Sequence, residues 1–306
     1  MRILITGAGG NLGRIVVPSL AAAGHTLRLM DSRTLTVTGH ETVVGDVRNY
    51  QDVLAAAEGV DAIIHAAALH GIHLRSWSPS DFWEINVTGT FHVYEAARTK
   101  GIKHVVLCST MGVYGQSAQP DGDAWNRVDE SLPLLPTDVY GLSKKLCEEL
   151  AATYARSWNV TTVALRLGMF VPESDVHRYG FRLLFGGVDD RDVAHAVSCS
   201  LNHSPIGGFD AFNIMASVPF TPADLKALVA DSHAVLTAYY PSYGHLLNAK
   251  GIDPKPLMWG RTVWSCEKAT RFLGYLPKYN FDGYLASLEA DRSDYYPVAG
   301  LPWWGI

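Results

Sequence analysis

Short apolar runs alternate with helically spaced apolar positions through the first half of the chain. Arg2-Ile3-Leu4-Ile5 reads as a buried strand, and Ile15-Val16-Val17 with Leu20 to Ala23 reads as an apolar-faced helix. Thr26 to Met30 is the second strand, ending at Asp31, and Thr42-Val43-Val44 is the third, ending at Gly45-Asp46. Tyr50 to Glu58 is a short helix, and Asp61 to Ala67 is the fourth strand. The spacing of Phe82, Ile85, Val87, Phe91, Val93 and Ala97 predicts a helix from Phe82 to Arg98. His104 to Ser109 is the fifth strand, Tyr140 to Trp158 a helix and Val160 to Leu167 the sixth strand. Apolar strands joined through helices require right-handed crossovers and a parallel sheet. The expected fold is α/β, a Rossmann-like doubly wound sheet. Pro18 falls inside the first helix and predicts a kink or a local adjustment there.

After about residue 168 prolines interrupt the pattern, from Pro172 to Pro277. Short helices are expected at Val193 to Leu201, Pro222 to Asp231 and Glu267 to Leu273. The division expected is a nucleotide-binding domain over 1–168 and a small substrate lobe over 169–306, with some segments returning to the core.

The first strand and helix are joined by Thr6-Gly7-Ala8-Gly9-Gly10-Asn11-Leu12-Gly13, with glycines at 7, 10 and 13. A glycine turn between a buried strand and a helix N-terminus is an anion site. Free N–H groups and the helix dipole face a phosphate, and the missing side chains let a pyrophosphate approach the backbone. Asp31 on the next strand completes a dinucleotide fingerprint. Its carboxylate accepts hydrogen bonds from ribose hydroxyls and repels a 2′-phosphate, which favours NAD; Arg33 beside it could instead bind that phosphate.

Composition narrows the partners. A net charge of −5 over 306 residues, without a basic run, gives no reason to expect nucleic acid or a membrane surface. No apolar stretch approaches a membrane span, and the first apolar run is too short for a signal peptide. Cys108, Cys147, Cys199 and Cys266 show no paired or metal-binding spacing, so reduced thiols in the cytoplasm are expected. His70 and His73 lack a third ligand nearby; substrate contact or plain loop is the reading there, and no metal is expected.

Tyr140 and Lys144 stand four apart on one helix face. A phenol ordinarily titrates near pH 10, and an ammonium beside it favours the phenolate. Such a pair can exchange a proton with a substrate hydroxyl. Ser109-Thr110-Met111-Gly112-Val113-Tyr114-Gly115 follows the fifth strand, where a hydroxyl can hold the substrate oxygen or merely cap the backbone.

With these motifs the chain resembles the extended short-chain dehydrogenase/reductase family. The matching stretches are Thr6 to Gly13, Gly45-Asp46-Val47, His65 to Ala68, Asn86, Ser109 to Gly115, Tyr140 with Lys144, Asp190 to Ala194, and Lys268 to Pro277. The resemblance implies that Thr110, Tyr140 and Lys144 are catalytic. It implies an NAD site made by Gly7, Gly10, Asn11, Leu12, Gly13, Asp31, Ser32, Asp46, Val47, Ala66, Ala67, Ala68, Asn86, Ser109, Tyr140 and Lys144. Asp46 and Val47 would contact the adenine, Ala66 to Ala68 would line the nicotinamide side, and Asn86 would support the active-site helix. It also implies a homodimer through the helices Phe82 to Arg98 and Tyr140 to Trp158, where Phe91 and Leu150 face either the partner or the core.

Departures narrow the reaction. Met111 and Gly112 stand where family dehydratases carry an acid pair, and neither transfers a proton. Gly112 also stands where fucose synthases carry a cysteine. Asp190 follows Arg166 by only 24 residues, roughly half the span that nucleotide-sugar enzymes of the family use, which points to a small substrate. In this compactness the chain resembles uronate dehydrogenases. Arg178 stands where they place a carboxylate-binding arginine, or is a solvated loop residue. Met169 replaces a substrate-contacting serine, and Met111-Gly112 replace an Asn-His pair. The substrate contacts expected are His70, Thr110, Met111 and Arg178, around a small sugar or sugar acid. Tyr239 to His245 lines a different sugar pocket or simply packs. The expected activity is oxidation of a sugar carbinol, with an NAD-dependent sugar epimerase as the alternative enzyme and a non-catalytic NAD sensor as the alternative of another class.

Overall fold

In the first strand, β1 (Arg2–Thr6), Ile3 and Ile5 pack on one side of a sheet and Leu4 on the other. Such alternation of apolar residues demands cover on both faces. The structure, a computed structural model, describes residues 1–292 and 294–296. After β1 come α1 (Asn11–Ala22), β2 (Thr26–Asp31), β3 (Glu41–Val44), α2 (Tyr50–Ala56) and β4 (Ala62–His65). Then follow α3 (Pro79–Phe82), a π-helical turn (Trp83–Thr88), α4 (Gly89–Lys100), β5 (His104–Thr110), β6 (Asn126–Val128), α5 (Val139–Trp158) and β7 (Thr161–Leu167). The second half holds α6 (Val176–Arg182), α7 (Asp190–Leu201), β8 (Phe209–Ile214), α8 (Leu225–Tyr239), α9 (Tyr243–Lys250), β9 (Thr262–Trp264) and α10 (Phe281–Glu289).

Seven strands form a parallel sheet in the order β3-β2-β1-β4-β5-β7-β8. The strand order reverses between β1 and β4, where a crevice opens at the carboxyl ends. Leu12 and Val16 of α1 with Val193 and Val197 of α7 close one face. Val53 of α2, Val93 and Tyr94 of α4, and Cys147 and Ala151 of α5 close the other. A second apolar core, built on Tyr179, Phe181, Tyr240, Phe281 and Tyr284, holds the lobe. No helix among the described residues is long and apolar enough to cross a membrane.

Several elements differ from the periodic pattern. The expected helix from Phe82 to Arg98 is in three pieces, because the π turn swings Asn86 inward to bond the chain after β4. The helix α1 continues through Pro18, whose side chain is exposed. Strand β8 comes from the proline-interrupted half and had no announcing apolar run, since Asp210 and Asn213 break it. The segment Tyr239 to His245 packs: the Tyr240 and Tyr243 rings lie 5.1 Å and 6.2 Å from the Phe281 ring, in the lobe core.

Candidate active site

The crevice is a cleft of about 450 Å³ over the ends of β1, β2 and β4. Gly7, Gly10 and Asn11 form its floor. At Gly7 the backbone has φ +67°, and a Cβ would stand 2.6 Å from the Ala67 Cα. Gly10 precedes α1 without a side-chain cap, and the first turn carries no acidic residue. The N–H groups at that helix start are therefore available to an anion. Asn11 adds a buried Oδ1 without a hydrogen-bond partner. The uncapped helix start and its glycines fit a pyrophosphate; the Asn11 amide oxygen, itself an acceptor, adds no donor. Leu12 and Gly13 belong to the same first turn of α1. Leu12 packs in the core, and Gly13 lets α1 approach the turn, since a Cβ there would meet the Ala8 carbonyl oxygen at 2.0 Å.

Asp31 ends β2 at the cleft wall beside Ser32 and Arg33. Its Oδ2 accepts the Gly9 N–H at 2.9 Å and its Oδ1 the Arg33 N–H at 3.1 Å. These bonds aim the carboxylate and leave it lone pairs for ribose hydroxyls. Asp46 and Val47 line the same end. The Asp46 carboxylate grips Arg48 at 2.5 Å, and this pairing pulls its pKa down. Ala66, Ala67 and Ala68 form the opposite wall.

Beneath that wall runs a buried polar chain. Thr6 Oγ1 lies 2.8 Å from His65 Nδ1, and His65 Nε2 lies 3.0 Å from Thr90 Oγ1. Burial drives the His65 pKa down to about 3, with the nearby Lys144 charge adding to it. The unfolded chain takes up this proton near pH 6.5 and the folded chain resists it. The stability gained is complete above pH 6.5 and is lost as pH falls toward 3. Urea unfolding between pH 6.5 and 4 should lose about 1.4 kcal/mol per pH unit to His65. His65→Gln should flatten the pH dependence by that amount; an unchanged slope would show the ring titrating normally.

Asn86 does not reach the cleft. Its Oδ1 accepts the Leu69 N–H at 2.7 Å, and its Nδ2 donates to the Leu69 carbonyl at 3.0 Å and to Ser143 Oγ at 2.8 Å. It pins the chain after β4 to α5, and both ends of its amide are occupied by protein partners. Ser109 is also withdrawn: its Oγ donates to Glu148 Oε1 at 2.5 Å beneath the sheet surface.

Thr110, Tyr140 and Lys144 gather behind the inner end of the cleft. A Cβ on Gly112 would touch Thr110 Oγ1 at 3.5 Å and the Tyr140 ring at 3.9 Å. Thr110 Oγ1 accepts the Gly112 N–H at 3.1 Å, leaving its own proton to donate. The Tyr140 ring lies 6.1 Å from that of His70, which lines the cleft. Burial lowers the His70 pKa to about 3 and keeps the ring neutral. Lys144 Nζ donates to the Cys108 carbonyl at 2.8 Å, and burial lowers its pKa. The Tyr140 phenol departs from the expected direction. Burial pushes it up to about 12, and the Thr110 hydrogen bond only partly offsets this. In this state the phenol is a proton donor.

Two of the expected substrate contacts, Met111 and Arg178, have different surroundings. Met111 packs half-buried against the core. Arg178 sits at the start of α6 with a side chain 67% exposed, 3.9 Å from Glu173. One turn later Arg182 is 6% exposed. Its Nη1 donates to the carbonyl of Val171, a cleft residue, at 2.7 Å. Sequence reasoning passed over Arg182, although its spacing from Arg178 places it on the same helix face.

Residues 3–179 match the NAD dependent epimerase/dehydratase family. A uronate dehydrogenase of Pseudomonas putida is 28% identical over 98% of this chain and 91% of its own length. An L-arabinose 1-dehydrogenase (NAD(P)(+)) of Haloferax volcanii is 32% identical over 67% of this chain and 85% of its own. The crystal structure of a Thermus thermophilus UDP-glucose 4-epimerase with NAD has the same fold, at TM-score 0.67 and 23% identity, covering 96% of this chain and 99% of that one.

Proposed function

Because the chain belongs to the NAD dependent epimerase/dehydratase family, we propose that it is an NAD-dependent dehydrogenase of a small sugar acid, acting as uronate dehydrogenases do. The observation that carries this reading is Arg182, a buried guanidinium that donates to the Val171 carbonyl in the cleft wall and lies 5.7 Å from the Tyr179 ring, beside the Tyr296 hydroxyl. No carboxylate lies within ion-pair distance of it among the described residues. A ring and a hydroxyl do not neutralise a guanidinium, so its charge is left for an anion, and a planar fork suits a carboxylate.

Bound NAD would supply the hydride acceptor. The backbone of Gly7, Gly10 and Asn11 would hold its pyrophosphate, and Asp31 its adenosine ribose. Thr110 donates a hydrogen bond to the reacting oxygen. Tyr140, as phenolate, takes the hydroxyl proton while the hydride leaves the same carbon, so a carbinol becomes a carbonyl. Lys144, fixed on the Cys108 carbonyl, presents its remaining protons to the nicotinamide ribose and favours the phenolate.

Uronates and neutral aldoses are to be screened with NAD while NADH absorbance is followed. Arg182→Lys keeps the charge and loses the fork. It should raise KM for uronates about 10- to 100-fold, the worth of a charge-assisted hydrogen bond, and leave neutral aldoses unchanged. Arg178→Ala should change neither. The reverse pattern would return the anchor to Arg178, and equal losses on both sugar classes would remove the carboxylate reading. Interconverted sugars without net NADH would mark an epimerase. NAD binding without turnover would mark a sensor.

Assembly is proposed through α4 and α5, where Phe91 and Trp158 are each 44% exposed and Leu142 is 43% exposed. Leu150, in contrast, packs toward the core. Sedimentation at micromolar concentration should give the mass of two 33.4 kDa chains, and Phe91→Asp should give one. A wild-type monomer would refute the dimer.

A further inference from the structure

One polar row crosses the apolar sheet a single residue before the reacting hydroxyls. Ser109 of β5 is the register partner of Arg166 of β7, and Arg166 is the partner of Asn213 of β8. Paired residues of adjacent strands point to the same face. The next level up is Thr110, Leu167 and Ile214. Above the row sits Glu148 of α5, 3% exposed. Its carboxylate accepts Ser109 Oγ at 2.5 Å, Arg166 Nη2 at 2.7 Å and Arg166 Nε at 3.1 Å. The remaining arm of Arg166 donates to the Tyr114 hydroxyl at 2.8 Å, which donates to Asn213 Oδ1 at 2.8 Å. The guanidinium also lies 5.0 Å from the Tyr114 ring centroid.

The same helix face carries Tyr140, Lys144 and Glu148 at successive turns. Lys144 is tied to Cys108 and Glu148 to Ser109, the two residues before Thr110. The helix is thus fastened to β5 at two points, one and two turns after the phenol. Arg166 has a second effect. It neutralises Glu148, which would otherwise be the nearest carboxylate on the helix to draw Lys144 away from Cys108.

We propose that Glu148 is a positioning residue for the reaction: paired with Arg166, it clamps α5 to Ser109 so that Tyr140 and Lys144 stand in register with Thr110. The inference rests on the reading that Thr110, Tyr140 and Lys144 act on the substrate.

Ser109→Ala cuts the clamp and leaves the Glu148–Arg166 pair intact, so it avoids a buried unpaired charge. With the sugar that gives the highest wild-type rate, it should lower the single-turnover rate of NADH formation about tenfold, the cost of misplacing a catalytic group by a fraction of an ångström. KM for the sugar should stay within about twofold, since no sugar contact is removed. Ser109→Thr restores the hydroxyl and should restore the rate. Glu148→Gln should lose more rate than Ser109→Ala and also lower Tm, because Arg166 is left unpaired. A Ser109→Ala enzyme with a full single-turnover rate, or equal losses in Ser109→Ala and Ser109→Thr, would overturn the clamp. Tyr140→Phe serves as the separate control: if it stays active, the underlying reading of the triad fails, whereas an inactive Tyr140→Phe beside a fully active Ser109→Ala refutes only the clamp.

Discussion

Tyr140→Phe should lower kcat by about 10²–10⁴-fold, the usual worth of a positioned general acid or base, with NAD affinity unchanged. The change removes one oxygen. The ring keeps its contacts with His70 and Phe82, and neither Asp31 nor the glycine turn is disturbed. The loss must therefore appear in the chemical step. The phenol's elevated pKa, pushed up to about 12 by burial, sets the direction of the pH dependence. Oxidation needs the phenolate and should rise with pH. Reduction needs the phenol and should persist at neutral pH. Rates of both directions across pH, with Tyr140→Phe beside the wild type, test this. A Tyr140→Phe enzyme that oxidises at the full rate would end the dehydrogenase reading.

Gly13→Ala should weaken NAD binding and lower Tm together. Alanine would gain helix propensity of about 1 kcal/mol over glycine inside α1. Against that stands a Cβ 2.0 Å from the Ala8 oxygen and 2.5 Å from its carbonyl carbon. Both obstacles are backbone, so the turn itself must move, a strain of about 1–3 kcal/mol for overpacking. That turn carries the N–H groups that face the pyrophosphate, so displacement costs affinity as well as stability. We expect an NAD affinity about 10- to 100-fold weaker, read by tryptophan fluorescence, since Trp77 lines the cleft. Unchanged affinity would mean that the turn gives way without moving those groups.

How legible the site was depended on the range of the forces involved. The glycine turn, its helix and Asp31 lie within thirty-one residues, and strand, turn and helix formation there are local. Tyr140 and Lys144 share a helix face by periodicity alone. The placement of Ser109 and Asn86 was different. A hydroxyl at a strand end and an amide on a helix look available in sequence, yet each is consumed by a partner from elsewhere: Glu148 for the one, Leu69 and Ser143 for the other.

Arg178 and Arg182 make the same point on one short helix. Their spacing gives both to one face of α6, and motif position favours Arg178. Only the packing of α6 against Val171 leaves Arg178 in solvent and shuts Arg182 away. The pKa of Tyr140 likewise turns on how much water the surrounding elements exclude, and no spacing rule measures that. The sequence by itself determined the alternation of strands and helices, the phosphate turn and the phenol–ammonium pair, because each follows from neighbours a few residues away. The tertiary structure alone decided strand β8, the buried row beneath Thr110 and the burial of Arg182 beside an exposed Arg178. Those depend on desolvation and on partners far apart along the chain, which short-range periodicity does not encode.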